Sequence, residues 1–291
     1  MRKRNIKVLL SVTGLFVLLA AFIGYGLYRS ACTLKVTTYA LSSEKLSHAV
    51  RMVQLTDLHN SVFGENNAEL VETVAEQQPD VILITGDLLN GDEQNTDIAT
   101  QVISELCPIA PVYVSYGNHE IQYENNYHAD LAALYKQAGA TMLEYAYEDV
   151  TINGQAIRLG GVYGYCTPEE YLETKEADEA ECTFLRQFQD TNRYTVLLTH
   201  MPFAWIHNDG ISKWHIDCVF TGHTHGGQAR IPFIGGLYAP DAGWFPGREK
   251  GLYYSDDQSK VMVLSSGLGS NERIPRFNNI PEIVVVDVLP E

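Results

Sequence analysis

Eight short apolar runs rich in β-branched residues recur after residue 50, and five of them end in a cluster of Asp, His, Asn and Gly. The runs are 52–55, 81–84, 112–114, 157–159, 195–198, 218–220, 261–264 and 283–286, preceded by a further apparent strand at 34–41. Each has the length and composition of a strand. Helical periodicity fills the early gaps, at 66–77, 96–106 and 127–137. Strands alternating with helices predict α/β layers with helices outside, and the consecutive strands near the C-terminus predict a mixed sheet or a second sheet. With 45% hydrophobic residues the chain can bury one large core, and no repeat or low-complexity tract divides it.

The first 29 residues stand apart. Arg2, Lys3, Arg4 and Lys7 precede 21 uncharged residues, Val8 to Tyr28, which is long enough to cross a hydrocarbon core as a helix. A basic tip and an uncleaved signal anchor over 1–29, followed by a soluble domain over 34–291, is the expected organisation. Basic residues ahead of the span place the N-terminus in the cytoplasm and the domain outside a single-pass cell-membrane anchor. Two rivals stay open: a secreted domain after signal cleavage, and a domain on the cytoplasmic face. Ser30-Ala31-Cys32 and Lys3-Arg4 are only loose matches to lipoprotein and twin-arginine signals. Five of the 20 Lys and Arg and none of the 36 acids lie in the first 30 residues, leaving 15 against 36, a net −21 for the rest. Such a surface repels nucleic acid. Five cysteines without CxxC pairing form no disulfide framework; Cys107 and Cys218 read as buried thiols, and pairing of Cys166 with Cys182 stays open.

The polar clusters carry the chemistry. TDLHN supplies Asp57 and His59, TGDLLN supplies Asp87, SYGNHE supplies Asn118 and His119, THMP supplies His200, and TGHTHGGQ supplies His223 and His225. Singly each has an ordinary explanation as a turn or a satisfied polar residue. Five together at strand C-terminal ends are different, because that edge is where open α/β sheets bind ligands. Carboxylates, imidazoles and an amide without thiolate suit Mn²⁺, Zn²⁺ or Fe, and seven such side chains exceed what one ion needs. If 223–225 is extended, the two histidines point to one side and reach adjacent ions, with Gly222, Gly226 and Gly227 turning the chain and leaving room for a phosphate.

The order D-x-H, G-D-x-x-N, G-N-H-E, H, G-H-x-H resembles the calcineurin-like metallophosphoesterases over residues 50–228. GGQ and the late stretch Arg276-Phe277-Asn278 to Pro281-Glu282-Ile283 resemble the bacterial membrane-associated subgroup of YkuE-type and YaeI-type phosphodiesterases, although the tail reads Asn279-Ile280-Pro281 where two prolines are expected. The resemblance implies a layered sandwich of two mixed β-sheets flanked by helices, and two divalent metal ions. It implies that Asp57, His59 and His225 hold one ion, Asn118, His200 and His223 the other, and that Asp87 bridges them. It also implies that His119 protonates the leaving oxygen or stabilises the transition state, and that phosphodiester or pyrophosphate bonds are cleaved by a hydroxide held between the ions. Glu120 receives no role.

Substrate is read from the flanks. The segments 201–205, 231–238 and 243–246 are apolar for loops. They are expected either to pack between the sheets or to form a lip that admits a lipid-linked phosphoester, such as a nucleoside-diphosphate lipid of the UDP-diacylglucosamine kind, to the site. Gln228 and Arg230 are the expected substrate-binding side chains; Arg230, Arg273 and Arg276 are scarce cations suited to steering a phosphate or to salt bridges. The rival function is a catalytically inactive metal-binding surface module. Oligomeric state is not legible.

Overall fold

The computed structural model describes the backbone of residues 2–291 and the side chains of residues 10–291 other than Cys32. In chain order the elements are α1 (Arg2–Cys32), β1 (Lys35–Ser43), β2 (Val50–Leu55), α2 (Ala68–Glu76), β3 (Val81–Thr85), α3 (Asp97–Leu106) and β4 (Val112–Ser115). There follow α4 (Asn118–Tyr127), α5 (Leu131–Gln137), β5 (Thr141–Met142), β6 (Ala146–Ile152), β7 (Gln155–Gly161), α6 (Glu179–Gln189) and β8 (Tyr194–Leu198). Then come α7 (Phe203–His207), α8 (Gly210–Lys213), β9 (Cys218–Thr221), β10 (Arg230–Ile231), β11 (Gly235–Gly236), β12 (Tyr238–Ala239) and β13 (Gly243–Trp244). The chain closes with β14 (Gly251–Tyr254), β15 (Val261–Leu264) and β16 (Glu282–Pro290).

The strands form two mixed six-stranded sheets, ordered β1-β16-β2-β3-β4-β5 and β14-β15-β9-β8-β7-β6. Successive strand residues point to opposite faces, and the apolar runs use both. In β3, Val81 and Leu83 face the second sheet while Ile82 and Ile84 pack under helices. In β9, Cys218 and Phe220 face the first sheet while Val219 faces outward. One apolar layer therefore lies between the sheets, a second under α2, α3 and α5, and a third under α6 to α8. This double burial is why the runs read as continuous hydrophobic stretches rather than as alternations. β2, β3 and β4 run parallel, as do β7, β8, β9 and β15, so the ligand-bearing loops leave the C-terminal ends of strands. The two edges meet: Gln54 Nε2 donates to Thr85 Oγ1 and to Thr221 O, each at 2.9 Å.

Helix boundaries differ from the periodicity at one place. The expected helix at 127–137 is two helices, α4 ending at Tyr127 and α5 starting after Asp130, whose carboxylate accepts from Ala133 N at 2.8 Å. α4 carries no apolar stripe, and its start is held instead by Glu120, which accepts from Gly117 N at 2.8 Å. His128, with φ 54°, ends α4 in a left-handed turn. α6 lies outside the helices expected from periodicity, although Asp178 caps it by accepting from Ala180 N and Glu181 N.

α1 is continuous and ends two residues before β1, and Leu10–Ala31 is apolar, exposed and long enough to cross a membrane. Cys218 is buried, Cys107 half-buried, and Cys166 and Cys182 are free thiols, with Cys166 Sγ facing Thr199 and Cys182 Sγ facing the Thr167 carbonyl.

Candidate metal centre

Six of the seven predicted ligands converge from four loops, and His119 joins them from a fifth. Three groups place their donor atoms within 4.8 Å of one another: Asp57 with His59 and His225, Asp87 with His200 and His223, and His59 with Asp87 and His119. Asp87 belongs to two of them, with Oδ2 3.1 Å from His200 Nε2 and 3.6 Å from His59 Nε2. His225 Nδ1 stands 3.8 Å from Asp57 Oδ1.

The backbone that presents these groups is unusual for side-chain-bearing residues. Asp57, His59, Asp87, His223 and His225 all have positive φ, between 47° and 71°. Each such residue costs on the order of 1–3 kcal/mol, so the surrounding structure must impose it. Close packing supplies the constraint. At Gly117 a Cβ would overlap the Asp87 carboxylate, and at Gly222 it would lie 2.6 Å from Asp57 Oδ2. The glycines around the histidine pair thus make room for protein rather than for phosphate. The pair is not extended either: both residues are left-handed, and the single backbone serves two different groups because it turns between them.

Secondary contacts set which imidazole nitrogen faces inward. His59 Nδ1 donates to Asn90 Oδ1 at 3.1 Å and His200 Nδ1 to Thr85 O at 2.7 Å, which turns Nε2 of each toward the centre. His223 Nε2 pairs with Asp241 Oδ2 at 3.0 Å, which leaves Nδ1, 3.3 Å from His200 Nε2, toward the centre. His119 is different. Its Nδ1 accepts from Gly91 N at 2.9 Å, so the neutral ring carries its proton on Nε2. Asn90, Asp241 and Thr85 were not singled out from sequence; only Asn90 carried a signal, as the last residue of GDLLN.

Electrostatics follow from burial. Desolvation pushes His59 down to about 3 and His225 well below the usual imidazole value. At His200 burial is outweighed by the Asp87 and Asp57 carboxylates and the Thr85 carbonyl, and its pKa rises to about 10. Burial also raises Asp57, whereas at Asp87 the neighbouring His200 overcomes burial and holds the carboxyl well below its ordinary range. A proton shared by Asp87 and His200 therefore sits where a cation is attracted.

The residues fit divalent metals. His59 Nε2, His225 Nδ1 and Asn118 Oδ1 are shielded from solvent and have no hydrogen-bond partner, a costly arrangement unless an ion satisfies them. Oxygen and imidazole donors without sulfur define the kind of ion, not its identity.

Among the flanking residues, Trp205 and Arg230 take the packing and salt-bridge roles expected as alternatives to substrate contact. Trp205 does not reach a lip: it is 1% exposed, packed with Phe184, Leu197 and Trp214 in the outer layer of the second sheet. α7 turns it inward while Phe203, two residues earlier, lies edge-on to His223 at 5.7 Å. Arg276 points inward onto carbonyls, Arg230 pairs with Glu249 at 3.0 Å, and Gln228 is buried, donating to Ser270 Oγ at 2.7 Å.

Two mixed sheets packed face to face, with a carboxylate and imidazole basin where their strand ends meet, define a metal-dependent phosphoester hydrolase. A family-wide sequence profile described as "Calcineurin-like phosphoesterase" matches residues 50–227, and the chain belongs to that family. It is 28% identical over 274 residues to an uncharacterized metallophosphoesterase of Aquifex aeolicus, covering 88% of this chain and 92% of that one. It is 24% identical to the uncharacterized metallophosphoesterase YkuE of Bacillus subtilis, covering 90% and 88%. To the phosphodiesterase YaeI of Escherichia coli it is 27% identical, covering 65% and 66%.

Proposed function

We propose that the chain is a two-ion phosphodiesterase or pyrophosphatase that acts on a lipid-linked phosphoester at a membrane, with residues 1–29 as anchor and 34–291 as catalytic domain. Asp57, His59 and His225 would hold one divalent ion, Asn118, His200 and His223 a second, and Asp87 both. The observation that supports two sites is the position of Asp87 in two donor groups at once. Bound dications would lower the pKa of water and neutralise charge on the phosphoryl oxygens. His119 would stabilise the departing oxygen: with Nδ1 occupied by the Gly91 N–H, Nε2–H is left to give a hydrogen bond to the charge that builds there.

Two features support the lipid substrate. α1 joins the domain through a linker of two residues, too short to let the site leave the bilayer surface. The β10–β11 and β12–β13 hairpins grow from the histidine loop, since Leu237 N donates to both Gly227 O and Ala229 O. The first carries an open apolar tip, with Phe233 fully exposed and Ile234 63% exposed, and the open end of the second adds Trp244 and Phe245, 63% and 58% exposed. Gln228 and Arg230 lie at the root of this lip and remain the proposed substrate-side polar residues.

The experiment compares Phe233→Ser/Trp244→Ser with wild type on bis-p-nitrophenyl phosphate and on a nucleoside-diphosphate lipid in vesicles. The reading requires activity on the lipid to fall by ten-fold or more while the soluble diester is cleaved at the wild-type rate. Equal rates on both would end the lipid assignment. The domain's side of the membrane is tested by protease accessibility on intact cells, with degradation from outside expected.

A further inference from the structure

The stretch Arg276-Phe277-Asn278-Asn279 touches three parts of the molecule that are far apart in sequence. The Arg276 guanidinium is buried, and among the described residues no carboxylate is within ion-pair distance of it. It donates instead to four backbone carbonyls: Gly269 and Ser266 at 2.9 Å, Gly267 and Asn279 at 3.2 Å. Segment 266–269 is the wall behind Asp57. Leu268 N donates to Thr56 O at 3.1 Å, Gly269 N to Asp57 O at 2.5 Å, and a Cβ on Gly267 would lie 2.6 Å from that of Asp57.

Asn279 holds the opposite loop. Its Nδ2 donates to His225 O at 2.7 Å and to Gln228 O at 3.0 Å, in a site with no room for a Cβ on the neighbouring Gly226. The backbone N–H of Asn279 reaches elsewhere, to Ser30 Oγ at 3.0 Å in the last turn of α1. Ser30 is 2% exposed and itself donates to Gly26 O at 2.8 Å. Next to it the Phe277 ring lies edge-on to Phe22 at 5.7 Å and fills the space above Gly26, where a Cβ would collide with it.

We infer that Arg276 and Asn279 are positioning residues that clamp Asp57 and His225 into one metal site, and that the last turn of α1 is the clamp's third point through Ser30. The membrane helix is then a working part of the site and not only a tether. Physics asks for such a device, because Asp57 and His225 both hold left-handed backbone that their own sequence disfavours. A planar guanidinium with five donors can hold several carbonyls at fixed angles, which a lysine cannot.

The inference rests on the metal-site reading above, and its test separates the two. The full chain in lipid nanodiscs, stripped of metal, is titrated with Mn²⁺ and followed by equilibrium dialysis and EPR. Wild type tests the reading alone, which requires two equivalents with a spin-coupled signal. For Asn279→Ala, Arg276→Lys and Ser30→Ala the expected result is a loss of affinity of roughly 10–100-fold for one ion, the range found when partners that orient ligands are removed. The coupled signal should give way to that of an isolated Mn²⁺ still held by the Asp87, His200 and His223 group, with the metal-free melting temperature of Ser30→Ala within two or so degrees of wild type. Ser30→Ala removes one oxygen and decides the matter should the other two fail to fold. Unchanged affinity in Asn279→Ala overturns the clamp, as does equal loss of both ions together with the melting temperature. Unchanged affinity in Ser30→Ala removes α1 from it when Asn279→Ala binds more weakly, and overturns the inference when the other two variants do not fold. Should wild type hold only one ion, the same variants are judged on that ion's affinity.

Discussion

Asp87 Oδ2 lies 3.1 Å from His200 Nε2, in a setting where the buried imidazole keeps a proton up to a pH of about 10. A cation and that proton compete for the same lone pairs. Metal uptake near neutral pH should therefore release a proton, and affinity should fall as pH falls, the more so in the acid range where further ligands protonate. Calorimetric titration with Zn²⁺ in buffers of different ionisation heat measures the release. Asp87→Asn removes one charge from both donor groups, and it should lower activity by three orders of magnitude or more with loss of at least one metal equivalent. A fully active Asp87→Asn enzyme would show that Asp87 does not join the two sites.

His119 is fixed by the Gly91 N–H with Nε2 as its donor. His119→Asn should lower kcat by about 10²–10⁴ on a diester with an alkoxide leaving group, while metal content is unchanged. On bis-p-nitrophenyl phosphate the loss should be much smaller, because nitrophenolate spreads its charge over the ring and needs little help from a hydrogen bond. Equal losses on both substrates would make His119 a binding residue instead.

Glu120 joins two of the ligand loops. Buried at the start of α4, it accepts from Asp87 N at 2.7 Å, Leu88 N at 2.9 Å and Gly117 N at 2.8 Å. An amide at this place must turn its NH₂ toward at least one of these donors. Glu120→Gln should cost about 1–3 kcal/mol and weaken metal binding as the backbone of Asp87 shifts. Thermal melting of the metal-free protein, followed by Zn²⁺ titration, checks both.

Glu144 links the two sheets, accepting from Tyr116 N at 3.4 Å and Tyr163 N at 3.1 Å, and burial raises its pKa from 4.5 to about 7. The folded state thus binds the proton more tightly than the unfolded chain does. Its contribution to stability is fully present below about pH 4.5 and is lost as pH rises through about 7. The loss is on the order of 3 kcal/mol, reduced by whatever solvent reaches the carboxyl. Urea denaturation of wild type and Glu144→Gln at pH 5 and pH 8 should show wild type losing stability relative to the variant on going to pH 8. A constant difference between the two would show an ordinary carboxyl.

Legibility along the chain followed from the physics of each element. The apolar runs were readable because both faces of each strand are buried, and the donor residues because Asp, His and Asn at strand ends form an uncommon series. α4 was not readable, since NHEIQYENNY has no apolar stripe and is held in place by Glu120. Trp205 and Phe203 could not be told apart from sequence, because a single short helix sends one into the core and the other toward His223. Asp241, in the turn of the β12–β13 hairpin, pairs with His223 across 18 residues and the intervening β10–β11 hairpin, a contact with no local signature.

By itself the amino-acid order determines the strand-loop alternation, the donor set, its fit to oxygen- and nitrogen-seeking dications, and an apolar N-terminal helix. These are properties of composition and spacing within a few residues. Only the tertiary structure decides how those donors stand to one another: that Asp87 faces two groups, that five donor residues take left-handed backbone, and that Ser30 of α1 reaches Asn279 beside His225. Those relations depend on two sheets closing on one apolar layer, and the free energy that holds the strained loops comes from contacts between residues up to 249 positions apart.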